Sequence, residues 1–253
     1  MSKVRAVELM VTEKTPKKDG MVIALERIAE EAEQRTGRLS LRNLELEWLP
    51  EELFALTHLQ ELDLGADWWN DYVGNKICAQ QDRLLSFGIL RTLIIGASDI
   101  TSLIPLSGLI DLQHLDCSHT SVSDLSPVGG LIHLQQLLCF TTSVSDLSPL
   151  GGLTSLQHLD CSYTPVSDLS PLSDLNGLQA LRCSRTSVSD LSPLDSLSSL
   201  QNLVCSGAPV SDLSPLSGLN SLQYLDCFHT SVTDLSPLGG LATCSIWTVP
   251  THR

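Results

Sequence analysis

Leu156-Gln-His-Leu159-Asp-Cys161-Ser-Tyr-Thr164-Pro-Val166-Ser-Asp168-Leu169-Ser-Pro171-Leu172-Ser-Asp-Leu175-Asn-Gly177 is one turn of a pattern that returns every 22 residues. Registers begin at Leu90, Leu112, Leu134, Leu156, Leu178, Leu200 and Leu222, with no insertion or deletion between them. The consensus is L-x-x-L-x-C-x-x-T-x-V-S-D-L-S-P-L-x-x-L-x-x. A fixed period of this length is the signature of stacked units that cannot bury their apolar face alone. Composition agrees: apolar residues are 42% of the 253, yet aromatics are only 4%. Such a core is built from many equal thin layers.

Each part of the unit has a local reading. In L-x-x-L-x-C, alternate residues such as Leu115 and Cys117 share one side, the period of a short strand. Pro127, Pro149, Pro171, Pro193, Pro215 and Pro237 cannot sit in a central strand and mark the turning, convex side. The return S-P-L-x-x-L is short, which suits a turn of 3₁₀ helix. Parallel strands about 4.8 Å apart then form a concave sheet. The expectation is an α/β solenoid: a curved array with a concave parallel β-sheet and a convex side of 3₁₀ turns and loops. Residues 19–36, with Val22, Leu25, Ile28 and Ala32 at helical spacing, are expected to form an N-terminal capping helix.

The motif resembles the 22-residue leucine-rich repeats of bacterial internalins and the related phosphatase-regulator class, whose pattern is L-x-x-L-x-L-x-x-N-x-I-x-D-I-x-P-L. The resemblance covers roughly residues 36 to 249. It implies a binding protein, because this fold serves many unrelated partners. Upstream, Leu39-Ser-Leu41-Arg-Asn-Leu44-Glu-Leu46-Glu-Trp-Leu49-Pro50-Glu-Glu-Leu53 has the alternative L-P-x-x-L ending, and Leu59 to Leu90 spans 31 residues instead of 22. This leader resembles that of Roco-type and cyanobacterial repeat proteins, which often carry a GTPase module. No G-x-x-x-x-G-K-[ST] phosphate loop accompanies it here. The division read from the sequence is a flexible tail (1–18), the cap (19–36), the solenoid (37–243) with a Trp-rich insertion at about 65–77, and a last partial strand with tail (244–253). In that last strand Trp247 and Val249 are placed at inward slots. Either Trp247 is a minimal lid, or the chain continues in a longer protein and the last coil associates end to end; otherwise a monomer is expected.

Two departures from the resembled pattern bear on chemistry. Cys replaces the inward Leu at Cys117, Cys139, Cys161, Cys183, Cys205 and Cys227, and Thr replaces Asn at Thr120, Thr142, Thr164, Thr186 and Thr230, with Ala208 the exception. A 22-residue interval in a flat ladder does not build a zinc tetrahedron, and parallel Cβ vectors suit a disulfide poorly. The thiols read as small buried hydrophobes. Asp124, Asp146, Asp168, Asp190, Asp212 and Asp234 offer stacked carboxylates to calcium, but each follows Ser or Thr in a turn, where Asp caps local N–H groups. The turn reading is preferred, and no metal or cofactor is expected.

Net charge −14 disfavours nucleic acid and anionic membrane as partners. From Leu112 to Thr243 there are eleven Asp, no Glu, two Arg and no Lys, a formal charge of −9. No apolar run is long enough to span a bilayer, and Glu8 interrupts any secretory core, so cytoplasmic residence is expected, or export as a signal-free effector. No G-x-S-x-G, H-E-x-x-H or dinucleotide fingerprint is present, and Ser, His and Asp recur as products of the repeat rather than as a convergent triad. The expected role is therefore a non-enzymatic scaffold for a protein partner. The alternatives are a ligand-sensing fragment of a larger Roco-like protein and a host-directed effector or adhesin. The surface expected to bind is the concave face: His114, Asp116, Phe140, Asp160, Tyr163, Arg182, Arg185, Tyr224, Asp226 and Phe228. Aromatic and Arg side chains are the usual anchors of interfaces. Trp68, Trp69 and Tyr72 form a second candidate surface. His114 and His158 lie two coils apart, about 10 Å by strand spacing, too far to share a metal.

Overall fold

The computed structural model describes residues 19–67, 74–241 and 245–247, the last two of these by backbone only. Ten short strands form one parallel sheet in chain order. They are β1 (Arg38–Ser40), β2 (Glu61–Asp63), β3 (Thr92–Ile94), β4 (His114–Asp116), β5 (Gln136–Leu138), β6 (His158–Asp160), β7 (Ala180–Arg182), β8 (Asn202–Val204), β9 (Tyr224–Asp226) and β10 (Ser245–Trp247). Register never slips: Leu93, Leu115, Leu137, Leu159, Leu181, Leu203 and Leu225 lie side by side. Every one of these leucines is buried, as is the residue two places on, Ile95 and then the six Cys from Cys117 to Cys227. The expected solenoid is present.

The convex side is built as the sequence implies. From coil 4 onward each S-P-L or S-P-V is a single 3₁₀ turn, such as Ser126–Val128 and Ser170–Leu172, with Pro inside its first positions. Asp sets up each turn: Oδ1 of Asp124, Asp146, Asp168, Asp190, Asp212 and Asp234 accepts the N–H of the Ser two residues later at 2.8 Å. The carboxylate thus satisfies a helix-start donor that would otherwise be orphaned.

The Thr row works through its hydroxyls. Thr120 donates to the Cys117 carbonyl at 2.6 Å, and Thr142, Thr164, Thr186 and Thr230 repeat the contact. Where Ala208 lacks a hydroxyl, its own N–H donates to the Cys205 carbonyl at 3.1 Å. The residue just before it is Gly207 at φ 72°, where the other coils hold His119, Thr141, Tyr163, Arg185 and His229 at φ 52–57°. The left-handed turn is therefore imposed by the array, and Gly enters it at the one coil that needs a tighter bend.

Helix α1 (Gly20–Gln34) caps the open N-terminal end, starting with Asp19 accepting from the Met21 N–H. Its inward face differs from the expected one. Ala24, Ile28 and Glu31 are buried, whereas Val22 and Leu25 are 44% and 38% exposed and Ala32 is exposed. The helix is rotated because Glu31 has a complete set of donors: Thr36 through N–H and hydroxyl, Gly37 through N–H at 2.8 Å, and His58 Nε2 at 2.8 Å. Burial works to raise the Glu31 pKa, but these hydrogen bonds outweigh it and hold the carboxyl below its ordinary range.

The long second coil is also tied in. Asn75, only 1% exposed, donates to the carbonyls of Leu41 and Leu64 and accepts from the Leu46 N–H, all at 2.9 Å. It joins coils 1 and 2 from inside. At the far end, β10 pairs Ile246 with Leu225 and Trp247 with Asp226. In backbone register the leucine row thus continues at Ile246, one residue before Trp247; Val249 lies outside the described residues.

Two outcomes follow. A β-branched residue pays a steric cost of roughly 1 kcal/mol at positive φ, so Thr141→Gly should raise the denaturation midpoint; an unchanged or lower midpoint refutes the strain. A carboxyl with a depressed folded pKa stabilises at pH above its unfolded value, and that contribution is lost as pH falls through the folded value. Glu31→Gln should therefore destabilise the cap at pH 7 by about 1–3 kcal/mol, seen as faster amide exchange in α1. The gap between wild type and variant should close as the pH drops below 4.5, the ordinary carboxyl value.

Candidate functional site

The side chains between the buried Leu and Cys of each strand face outward on the concave sheet, and they fall into rows. One row runs Ile94, Asp116, Leu138, Asp160, Arg182, Val204 and Asp226 across β3 to β9. A second, one pleat away, runs Thr92, His114, Gln136, His158, Ala180, Asn202 and Tyr224. Just beyond the strands lie Phe140 and Phe228, and then the left-handed row with His119, Tyr163, Arg185 and His229. All ten of the expected contact residues occupy these rows.

The structure brings some of them together and separates others. A depression of about 370 Å³ is lined by Glu61, Thr92, Ile94, His114, Asp116, Gln136 and Leu138, with the inner leucines as floor. A second, of about 310 Å³, is lined by Gln136, Leu138, His158, Asp160, Ala180 and Arg182. They share Gln136 and Leu138, so β3 to β7 carry one continuous trough. Beside it, His119 meets Phe140 edge to face with centroids 5.0 Å apart, and Arg185 lies 5.7 Å over the Tyr163 ring. Tyr224, Asp226 and Phe228 belong to β9 and its loop, two strands beyond Arg182, about 10 Å by strand spacing. There Phe228 packs on His229 at 4.1 Å. Trp68, Trp69 and Tyr72 lie outside the described residues.

Ile94 and Glu61 were not expected on this face; strand alternation puts Leu138 there, but it was not among the favoured contacts. Their signal was present: Gln135-Gln136-Leu137-Leu138-Cys139 puts an apolar residue where three other coils have Asp. An apolar residue on the outer face of a strand has no packing reason to be there.

Electrostatics divide the trough. Near its start Glu61 faces Arg38 at 3.4 Å, and Asp63 and Asp67 are held by Arg42. Asp116 and Asp160 have no ion pair among the described residues. Each spends one oxygen on its own loop, Oδ1 accepting from the N–H of Ser118 or Ser162 at 2.9 Å. Burial lowers the pKa of His119 in spite of nearby Asp116, which favours the neutral ring.

The thiol row has no comparable access. Cys117, Cys139, Cys161, Cys183 and Cys205 are fully buried. Burial pushes the thiols of Cys117, Cys161 and Cys205 up to about 12, and those of Cys139 and Cys183 well above the usual value. A thiol held neutral in this way is a poor nucleophile and a poor ligand. The Asp row of the convex side is engaged as described by Ser N–H groups, as expected for turn formers.

Comparison with known proteins agrees with this geometry. A family model described as "Leucine Rich repeats (2 copies)" matches residues 154–196. None of the curated proteins matches the chain by sequence. Among solved structures, an internalin (inlF) of Listeria monocytogenes superposes with a TM-score of 0.78 at 26% identity, over 90% of this chain and 66% of that one. Internalin C2 of the same organism gives 0.70 at 23%, over 92% and 94%. The plant peptide hormone receptor RGFR1, in complex with RGF2, gives 0.68 at 20%, over 83% and 35%. The chain thus spans just under two thirds of the first internalin. The molecule is a leucine-rich-repeat solenoid. Its repeats are of the internalin-like kind.

The thiol chemistry is open to direct measurement. In native protein at pH 8 the six ladder cysteines should stay unmodified by an aromatic disulfide reagent, while half-exposed Cys78 reacts. Unfolding should release all six together; prompt native reaction of the ladder, or metal bound to the purified protein, would contradict the inert-core reading.

Proposed function

We propose that this chain is a non-enzymatic protein-interaction scaffold that holds a polypeptide partner against its concave face. The observation that carries the reading is the trough along β3 to β7: apolar Ile94 and Leu138 stand on an outward face, flanked by uncommitted polar groups. Inner positions repeat Leu and Cys almost without change, whereas the outward ones from β4 on take Asp, Leu, Asp, Arg, Val and Asp in succession. The first are fixed by packing and the second are free of it, which a recognition surface requires. The likeness to two internalins, and to a plant receptor whose structure contains its peptide hormone, supports a protein or peptide ligand. Flat walls of rigid sheet lose little order on binding, which favours affinity per contact.

Affinity capture from lysate with wild type, Phe140→Ala and Arg182→Ala tests this, with melting curves to confirm that the variants fold. A specific partner should be retained by wild type and drop about tenfold or more with either substitution, the usual size of a hot-spot truncation. A matched change at exposed Ile132, on the opposite flank, should leave it unaffected. Equal recovery of every captured protein by all four forms refutes concave-face binding.

A further inference from the structure

We propose that the trough on β3 to β6 takes a polypeptide segment in which two cationic side chains, Lys or Arg, flank an aliphatic one. This deepens the concave-face reading above and depends on it.

Charge complementarity is the argument. From Thr92 to Leu181 the chain has eight Asp, no Glu and neither Lys nor Arg. Within that stretch Asp116 and Asp160 are the two carboxylates on the outward row, on β4 and β6, with Leu138 between them on β5. Near the start of the trough the acids are answered from within, Glu61 by Arg38 and Asp63 and Asp67 by Arg42, while Asp226 lies on β9 beyond the trough. Asp116 and Asp160 are not answered in this way, among the described residues. Arg182 is the register neighbour of Asp160, yet the two form no ion pair within 4.0 Å.

The geometry suits one kind of occupant. Both carboxylates commit Oδ1 to a loop N–H, which fixes their rotamers and leaves Oδ2 for an incoming donor. A carboxylate held in place in this way loses little freedom when it binds a cation. Two strands separate them, about 10 Å by sheet spacing. Extended chain rises roughly 3.3 Å per residue and puts i, i+2 and i+4 on one face, so cations at i and i+4 flank an aliphatic residue at i+2; the long Lys and Arg arms close their span of about 13 Å to the spacing of the carboxylates. The aliphatic residue between them meets Leu138, at the point where the two depressions join. At Arg182 and Arg185 the sign of charge reverses, which bounds the cationic part of the site.

The test selects peptides from a random 12-residue display library on the full chain. The best peptide, made synthetically with a fluorophore, is then titrated by anisotropy. Enriched sequences should contain Lys or Arg spaced about four apart around a central Leu, Ile, Val or Met. The double substitution Asp116→Asn with Asp160→Asn keeps the Oδ1 acceptors and should weaken binding about tenfold or more, and Leu138→Ser by a similar factor. The triple change Asp124→Asn, Asp146→Asn, Asp168→Asn removes more charge from the convex turns and should leave affinity within about twofold. If both sets weaken it equally, or spermine competes as well as the peptide, attraction is diffuse and the proposal fails. Acidic or neutral peptides that still need Phe140 or Leu138 would overturn the cationic ligand while leaving the concave face in use. Peptides indifferent to every trough substitution, or no enrichment at all, would overturn both.

Discussion

No coil of this molecule contains a complete core. Leu159, Cys161, Val166, Leu169, Leu172 and Leu175 form one thin layer, and each is buried only because the layers before and after supply the other half. That mutual dependence fixes almost everything else. It demands that each apolar set fall in line with the next, which the 22-residue period secures from β3 to β9, while the longer second coil still brings Leu62 beside Leu93. It demands parallel strands in strict register, which the sheet shows from β1 to β10. It also demands ends that differ from the middle, and helix α1 with its buried Glu31 network supplies one of them. The hydroxyl of Thr and the carboxylate of Asp have local duties within the same frame, closing turns that the stacked strands leave open.

The parts that were legible in the sequence are those set by this repetition. Pro at one place, Asp three residues before it and Leu at four spacings specify a strand, a turn and a 3₁₀ return, and the coordinates agree coil by coil. What escaped is non-periodic. The helix presents Ala24, Ile28 and Glu31 because a carboxylate was given four donors, a fact that no apolar pattern contains. Asn75 reaches three backbone groups of two coils from a segment whose composition suggested only a loop. At Ala208 a missing hydroxyl is replaced by a backbone N–H, made possible by the preceding glycine. The register of β10 runs one residue earlier than alternation around Trp247 indicated. In each case a single hydrogen-bond set or a chain end decided the matter.

On the concave face the sequence located the candidate residues, but their grouping needed coordinates. Phe140 and Tyr163 were expected as anchors; each turns out to be partnered on its own, with His119 and Arg185 respectively, and they stand along one rim of the trough. Leu138, less conspicuous in the sequence, occupies the centre of the groove. The distinction between answered and unanswered carboxylates was likewise invisible, because Arg42 and Asp67 are 25 residues apart and meet only through the insertion.

The unbroken 22-residue register has a bearing on how such a molecule changes over generations. Because adjacent layers meet through the same Leu, Cys, Thr and Asp rows, removing or duplicating one whole unit leaves every remaining junction chemically as it was. Unequal recombination between near-identical coding segments is therefore a tolerated event here, where in a globular domain it would destroy the core. Each unit gained or lost moves the outward residues on either side by about 4.8 Å. The length of the array, and the distance between its charged and apolar features, can thus be adjusted in fixed steps without redesigning a single contact.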